Sequence, residues 1–537
     1  MIHDYVIVGA GSAGCILADR LSACGRFSVL LIEAGGEASG FWFRLPVGYM
    51  KAYFNPKTNW MLHSSPQEAL DGRSLYAPRG KVVGGSGSIN AMIYVRGLAS
   101  DFNGWRAAGN PGWGFDEVLP YFKRLESVPH GDPHWRGQEG RIGISSMRAD
   151  AHAICADYLN ACQELGLPMT NDFNGEHMEG GGIYEANIRS GVRSSSAAEY
   201  LRPARQRRNL TVLTHTQVEK ILWDENGRAT GVQWQQGGVT QTAHARCEVV
   251  LSAGAVASPQ LLQLSGVGDG ALLQSLGIAV QHHLPGVGQH LQDHLCASYY
   301  FKANRPTLNN ELGSIWGQFK AGLRYAVSRR GPLAMSVNQA GGFFRGETSL
   351  AEPNLQLYFN PLSYSIPSDT QARLKPDPYP GFLIAFNACR PSSRGRVEIR
   401  SSDVTIPPLI QPNYLSTAQD QDEALQGSRM VRRLAATKAL RSITVEEVLP
   451  GPAVASDAAM LAYFKTHCGS IYHLCGSCAM GDEASQAVVD ARLRVHGRQG
   501  LRVVDASVFP QITSGNINAP TMMVAEKAAD MILADWA

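Results

Sequence analysis

The chain has 537 residues, 44% hydrophobic and 18% charged, which describes a globular protein and excludes an intrinsically disordered one. Its 48 Lys and Arg against 46 Asp and Glu leave a net charge of +2, too small an excess to point to nucleic acid. Single hydrophobic cores stop growing near about 250–300 residues, so two folding units are expected.

The 56 glycines cluster in short runs without a fixed period, so neither collagen nor a repeat array is implied. Such runs mark backbone that approaches something closely or takes positive φ, and a large phosphate-bearing ligand is one reason to need several. Ten cysteines are too sparse for a disulfide scaffold; Cys15, Cys155 and Cys247 lie in apolar runs and read as small buried thiols. A strand starting at about Asp4 leaves no room for a secretory leader, and no apolar run reaches the roughly 18–20 residues that span a bilayer. A cytoplasmic protein is expected, with loose membrane association left open.

Residues 4–8, Asp-Tyr-Val-Ile-Val, read as a short buried parallel strand. Gly9-Ala10-Gly11-Ser12-Ala13-Gly14 follows as G-x-G-x-x-G, then a helix over 13–23 with Ile16, Leu17 and Leu21 at helical spacing. A second strand over 28–32 ends in Glu33. In this setting Gly9 makes the tight turn, Gly11 lets backbone approach a pyrophosphate, and Gly14 lets helix pack on strand. The helix N-terminus offers N–H groups and partial positive charge to phosphates. Glu33, nineteen residues beyond Gly14, is placed to hold both hydroxyls of an adenosine ribose and disfavours the 2′-phosphate of NADP. The glycine motif alone is weak, but strand, helix, second strand and terminal acid in order make it a dinucleotide site.

Residues 36–75 are rich in Gly, Pro, Asn and aromatics (Phe41, Trp42, Phe43, Tyr49, Tyr53, Phe54, Trp60). They read equally as a lid that keeps water from a site or as a surface excursion with core anchors. Gly84–Asn90 offers small side chains and free N–H groups suited to a phosphate or a flat ring, against the alternative of a tight structural loop. Thr211–Leu213 and Val218–Leu222 read as a hairpin-like pair, Val249–Gly254 as a strand ending at glycine, and Leu501–Asp505 as a late strand returning to the same sheet. Asn354–Phe359 and Gly381–Phe386 alternate as strands, with Arg394–Arg400 a two-faced strand nearby. His290 and His294 have a helical metal-ligand spacing, but no glutamate follows His290 and no third ligand is evident, so both are read as structural. Cys475 and Cys478 form C-x-x-C with no second pair to complete a zinc site; packing is favoured over redox use, and no metal is expected.

Three segments, Gly80–Gly97, Gly254–Gly268 and the C-terminal Tyr472-His473 with Ser514–Thr521, resemble the glucose–methanol–choline oxidoreductase family. Gly80–Gly97, with Gly84-Gly85-Ser86-Gly87-Ser88-Ile89-Asn90 inside it, and Gly254–Gly268, with Ser258-Pro259 and Ser265-Gly266, are similar to its two long signatures. Tyr472-His473 and Ser514-Gly-Asn516-Ile-Asn518-Ala-Pro520-Thr521 resemble its C-terminal pair, and the matches run from residue 4 to about 533. Choline, alcohol and sorbose dehydrogenases look about equally near. The resemblance implies an α/β chain, α+β overall. It divides into a discontinuous Rossmann-like FAD-binding domain (1–155, 195–296 and 468–537) and a substrate-binding domain (156–194 and 297–467) with an antiparallel sheet backed by helices.

The cofactor implied is FAD. Its site is expected to comprise Gly9, Gly11, Ser12, Ala13, Gly14, Glu33, Ala34, Val83, Gly84, Gly85, Ser88, Asn90, Ala91, Val218, Ala253, Gly254, Tyr472, Asp505, Ala506, Asn516, Asn518 and Thr521. Val218 is to meet the adenine through its backbone, and Asp505 and Ala506 are to lie near the ribityl and pyrophosphate. Some relatives attach FAD through a histidine in the second glycine loop; Ile89 stands there, so binding is expected to be non-covalent.

Alcohol oxidation moves a hydride to flavin N5 while the hydroxyl loses a proton. That calls for a base active near neutrality, and imidazole has a reference pKa of about 6.5. By resemblance the base is His473. Asn516 takes the second active-site position, holding the substrate oxygen, with Asn518 a near rival that alignment from Ala525-Glu526-Lys527 disfavours. The expected reaction converts a primary alcohol to an aldehyde and passes electrons to O2, a quinone or another acceptor. An FAD-containing lyase or decarboxylase on the same fold is the alternative; a non-catalytic nucleotide-binding protein would leave His473 and Asn516 unexplained.

Overall fold

Tyr5–Val8 and Val29–Ile32 are buried along their whole length, as near-continuous apolar runs are in a parallel sheet covered on both faces. In the computed structural model, which describes residues 1–365, 375–482 and 487–536, Ile2–Val8 lies between Val29–Ile32 and the strand Val239–Leu251, parallel to both. Leu210–Leu213 extends the sheet beyond Val29–Ile32, and Leu501–Val503 joins the far end of Val239–Leu251, again in parallel. The first half of Val239–Leu251 instead turns into an antiparallel meander with Ala229–Gln236 and Val218–Trp223. Gly237 and Gly238, both at positive φ, close its second hairpin in two residues, a turn other side chains resist.

The expected hairpin of 211–213 with 218–222 does not form. The N–H groups of His215 and Thr216 donate to Gly35 O (2.8 Å) and Glu33 O (2.9 Å), so the connection follows the neighbouring strand's end and does not reverse. Pairing in parallel with Val29–Ile32 satisfies the first segment, and Ala229–Gln236 satisfies the second.

A second, antiparallel sheet runs in the order 444–449, 295–303, 381–388, 355–360, 340–344, 180–183. All residues of Ala340–Phe344 and Leu355–Asn360 are buried. Helices Cys155–Glu164 and Ala418–Ala435 back this sheet, and the two largest apolar clusters each fill the space around one sheet. Arg396–Glu398 stands outside it. That strand pairs with Leu409–Gln411, while Val397 N donates to Gly288 O (2.7 Å) and Val397 O accepts from Gln263 Nε2 (3.0 Å), so its backbone is held against the helix Gly254–Leu264.

Helix Ser12–Ser22 packs on the C-terminal helix Asn518–Asp535. Arg20 pairs with Glu526 and Asp530, and Tyr200 Oη donates to Glu526 (2.7 Å). Among the described residues no helix is long and apolar enough to cross a membrane.

A Cβ at Gly14 would lie 1.9 Å from Gly9 O. Gly14→Ala is therefore expected to cost about 1–3 kcal/mol through overpacking, read as a lowered urea midpoint. An unchanged midpoint would remove close helix–strand packing as the reason for glycine here.

Candidate active site

The first strand ends at Gly9 (φ +97), whose N–H donates to Ile32 O (2.7 Å). A Cβ at Gly9 would press on Ser252 O at 2.5 Å, but one at Gly11 would meet only Ser252 O at 3.6 Å, an ordinary contact. Packing within the chain thus demands Gly9 and Gly14, while the room at Gly11 suits a ligand. The helix after it has no side-chain cap and no acid in its first turn, which leaves its leading N–H groups to an anion. Glu33 accepts from Ala10 N (2.9 Å) on one oxygen and Gly35 N (2.8 Å) on the other, and burial pushes its carboxyl up to about 7. Each oxygen keeps a lone pair for a diol. Ala34 follows Glu33, and Val218 opens its strand two residues past Thr216, whose N–H reaches Glu33 O.

The second glycine loop crosses the first. Gly84 N donates to Ala10 O (2.6 Å) and Val83 N to Gly36 O (2.9 Å), and a Cβ on Gly85 would stand 2.8 Å from Gly11 Cα. Ser88 Oγ donates to Val83 O (2.8 Å), closing the turn. Asn90, next to Ala91, is gripped by Arg193, which donates to its Oδ1 and its carbonyl, both at 2.7 Å, and to Gly87 O at 3.3 Å. None of these acceptors is a carboxylate, and burial lowers the guanidinium to about 9. Sequence reasoning missed Arg193; an isolated arginine outside every motif carries no signal. Ile89 packs with Ala52 and Val82.

Asp505 accepts from Gly254 N (2.8 Å), Ser258 Oγ (2.6 Å) and Ser507 N (2.8 Å), tying the helix start at Ala253-Gly254 to the late strand and to Ala506. Gly254 takes φ +86, and a Cβ there would meet no atom within 4 Å, a second open cradle beside Gly11. Ser12 Oγ donates to Asn518 Oδ1 (2.7 Å), and Gly87 lies against both side chains. The dinucleotide turn, the second loop and the C-terminal helix start therefore meet. Thr521 and Tyr472 do not join them through their side chains: Thr521 Oγ1 bonds back to Ile517 O (2.7 Å), and the Tyr472 ring packs on Tyr53 (5.1 Å) and Tyr76 (6.5 Å).

Asn516 and Asn518 part ways at this point. Asn516 Nδ2 lies 3.2 Å from His473 Nε2 and its Oδ1 accepts from Gln356 Nε2 (3.2 Å). His473 Nδ1 lies 2.9 Å from His294 Nδ1, whose Nε2 faces Cys389 O at 2.8 Å. A carbonyl only accepts, so His294 Nε2 carries the proton and, in a neutral ring, Nδ1 is bare. His473 must then donate from Nδ1, which leaves Nε2 with its lone pair, met by the Asn516 amide. Burial lowers His294 to about 4. Burial first, then repulsion from His294 when it is protonated and from Arg79, hold His473 well below 6.5. Both rings are neutral at pH 7. Asp293 fixes the backbone, accepting from His473 N (2.7 Å) and from Tyr414 Oη (2.6 Å).

His294, read from the sequence as structural, places its Nδ1 2.9 Å from His473 Nδ1, a contact that its sequence setting does not suggest. Its spacing from His290 misled: residues 285–294 form no helix, and His290 itself takes a left-handed φ of +62. Cys475 and Cys478 are buried free thiols, and among the described residues no three His, Cys, Asp or Glu are grouped to hold a metal.

Models of the GMC oxidoreductase family match residues 3–296 and 391–525. The oxygen-dependent choline dehydrogenase of Photobacterium profundum is 42% identical over 534 residues, 99% of this chain and 93% of the relative. Pyridoxine 4-oxidase from Mesorbium loti superposes with a TM-score of 0.88 at 30% identity, covering 98% of each chain. Formate oxidase of Aspergillus oryzae RIB40, studied for its FAD modification, superposes with a TM-score of 0.90 at 25% identity, covering 99% of this chain and 98% of that one.

Two substitutions probe the geometry. His294→Leu removes the acceptor for His473 Nδ1–H and is expected to slow flavin reduction about tenfold to hundredfold with FAD content kept, the worth of one buried hydrogen bond. Gly11→Ala is expected to leave the urea midpoint of FAD-free protein within about 0.5 kcal/mol while weakening FAD binding about tenfold or more, measured by flavin fluorescence titration.

Proposed function

Because the chain belongs to the GMC oxidoreductases and is an FAD-dependent oxidoreductase acting on CH–OH donors, we propose that it oxidises a primary alcohol to an aldehyde with His473 as the proton acceptor. The observation that carries this reading is the chain of contacts from Cys389 O through His294 to His473 Nδ1 (2.8 and 2.9 Å), which leaves His473 Nε2, faced by Asn516 at 3.2 Å, as the nitrogen that can take a proton. FAD, held non-covalently, would supply the hydride acceptor.

The open cradles at Gly11 and Gly254, the uncapped helix and the pinned Glu33 fit such a cofactor. Gly9–Gly14 would hold its pyrophosphate, Glu33 its ribose and the Val218 backbone its adenine. Val83–Ala91, gripped by Arg193, and the Asn516–Thr521 segment would hold the flavin end. In the reaction Asn516 orients the substrate oxygen, and His473 Nε2 takes the hydroxyl proton as the C–H bond breaks. The resulting imidazolium keeps its Nδ1–H on His294, so the positive charge forms against an acceptor already in place.

The parallel-sheet unit would carry FAD, and the antiparallel sheet, which supplies Gln356, would close the substrate side. Residues 36–75 act as a lid, a role supported by the packing of Tyr53 on Tyr472. Choline is the alcohol to test first, given the full-length similarity to a choline dehydrogenase. The π faces of Tyr53, Phe54, Tyr76 and Tyr472 suit its quaternary ammonium. Electrons then pass to O2, a quinone or another acceptor. Ten free thiols fit a reducing compartment, and we assign the chain to the cytoplasm.

Anaerobic mixing of the FAD-loaded enzyme with choline and other alcohols is expected to bleach the flavin; a substrate consumed without bleaching would mark a lyase. His473→Ala is expected to stay yellow and to lose about 10²–10⁴ in the rate of flavin reduction. With the pKa of His473 lowered from 6.5, the base is free at neutral pH and is lost as pH falls, so kcat/KM is expected to decline only below pH 6.5. A limb centred above pH 7 would assign the base elsewhere.

A further inference from the structure

Helix Ile315–Ser328 has two unlike faces. Ala321 and Tyr325 are buried, with Tyr325 packed beside Leu45 and Ala334 and its hydroxyl donating to Gly191 O at 3.0 Å. Opposite them, Ile315 (86% exposed), Trp316 (76%), Phe319 (62%), Leu323 (56%) and Val327 (80%) stand in solvent. At 3.6 residues per turn these five fall within an arc of roughly 120°, an unbroken stripe. Scattered single apolar side chains are normal on a protein surface, whereas a contiguous row of large ones marks an interaction site.

The charge around the stripe selects its occupant. Lys320 and Arg324 border it, Arg329 and Arg330 follow its end, and residues 315–330 contain no Asp or Glu. Asp150 pairs with Arg324 (2.8 Å) and Arg330 (2.9 Å), and Glu311 precedes the helix, so four cations face two acids. A second exposed pair, Phe41 (58%) and Trp42 (48%), lies on Phe41–Arg44, which packs through Pro46–Gly48 on Pro332–Ala334 at the foot of the same helix. Lys51 Nζ stands over the Trp42 ring at 5.7 Å. Trp, Phe and Leu on one side with Lys and Arg along its border are the make-up of a helix that lies in the plane of a lipid interface. Its 14 residues are too few to span one.

We propose that Ile315–Ser328, together with Phe41 and Trp42, docks the enzyme on an anionic membrane surface. The apolar stripe enters the boundary between headgroups and acyl chains, and Lys320, Arg324 and Arg329 meet lipid phosphates. The segment bearing Phe41 and Trp42 runs on to Tyr53 and its contact with Tyr472, so docking holds that side of the molecule toward lipid, where a lipid-soluble electron acceptor resides. This last consequence rests on the alcohol-oxidising reading; the docking itself does not.

The test is co-sedimentation of FAD-loaded enzyme with vesicles of phosphatidylcholine alone or mixed with phosphatidylglycerol. Binding to the mixed vesicles is expected, weaker at high salt, and about tenfold or more weaker to phosphatidylcholine alone. The double variant Phe319→Asp, Leu323→Asp is expected to keep its FAD and its turnover of soluble alcohol while losing mixed-vesicle binding about tenfold or more. Should that variant lose FAD, Lys320→Glu with Arg329→Glu decides: weakened binding to the mixed vesicles supports docking, and unchanged binding overturns it. Wild-type enzyme that ignores both vesicles overturns the proposal. So does a wild-type dimer that the Phe319→Asp, Leu323→Asp variant turns into a monomer, which would make the stripe an interface between copies.

Discussion

The hydrogen bond from Ser12 to Asn518 joins residues 506 positions apart, and much of the site's geometry depends on it and on the helix packing behind it. Helix Ser12–Ser22 lies along Asn518–Asp535, and the Arg20 pairing with Glu526 and Asp530 sets their register. Because the C-terminal helix begins against the first glycine turn, Asn516 projects two residues earlier, where it reaches His473. One helix start thus contacts both the first glycine turn and, through Asn516, His473. A shift of either helix by one turn, about 5.4 Å, would separate them.

The second constraint is electrostatic. A buried imidazole is driven neutral because charge in a poorly solvated interior is costly. In His294 and His473 this costs the protein little at neutral pH, and in the proposed reaction it keeps a proton acceptor available. The Cys389 carbonyl anchors the sequence of donors and acceptors at one end and Gln356, through Asn516, at the other. A carboxylate in place of His294 would raise the basicity of His473 and favour the imidazolium before substrate arrives. In the proposed reaction the neutral partner lets the charge appear only with proton transfer. Arg193 contributes differently, as a cation without an acid among its hydrogen-bond partners, bound to the loop carbonyls at Gly87 and Asn90.

Irregular segments make up much of the candidate site. Gly84, Gly85 and Gly254 sit at positive φ where two loops cross or a helix begins, and Tyr472 takes φ +72 immediately before His473. These positions aim backbone N–H groups or turn the chain sharply, which regular strands and helices do not allow. The sheets beneath them supply the rigidity: the strand ends at Gly9, Glu33 and Ser252 stand side by side because their strands are paired in register.

Much was readable along the chain. The glycine turn and Glu33 depend on neighbours a few residues away, and the long signatures around Gly84–Asn90 and Gly254–Gly268 carried the family resemblance and with it His473 and Asn516. Other features were decided only when distant segments met. Leu210–Leu213 chose Val29–Ile32 over the adjacent strand, Arg396–Glu398 paired with Leu409–Gln411, and Asn516 was separated from Asn518 by which one faced His473. His294 became the partner of His473 only because two loops 179 residues apart bring their Nδ1 atoms to 2.9 Å. Turn chemistry is written in covalent neighbours, whereas a hydrogen-bond partner is chosen by packing, and packing is a property of the whole chain.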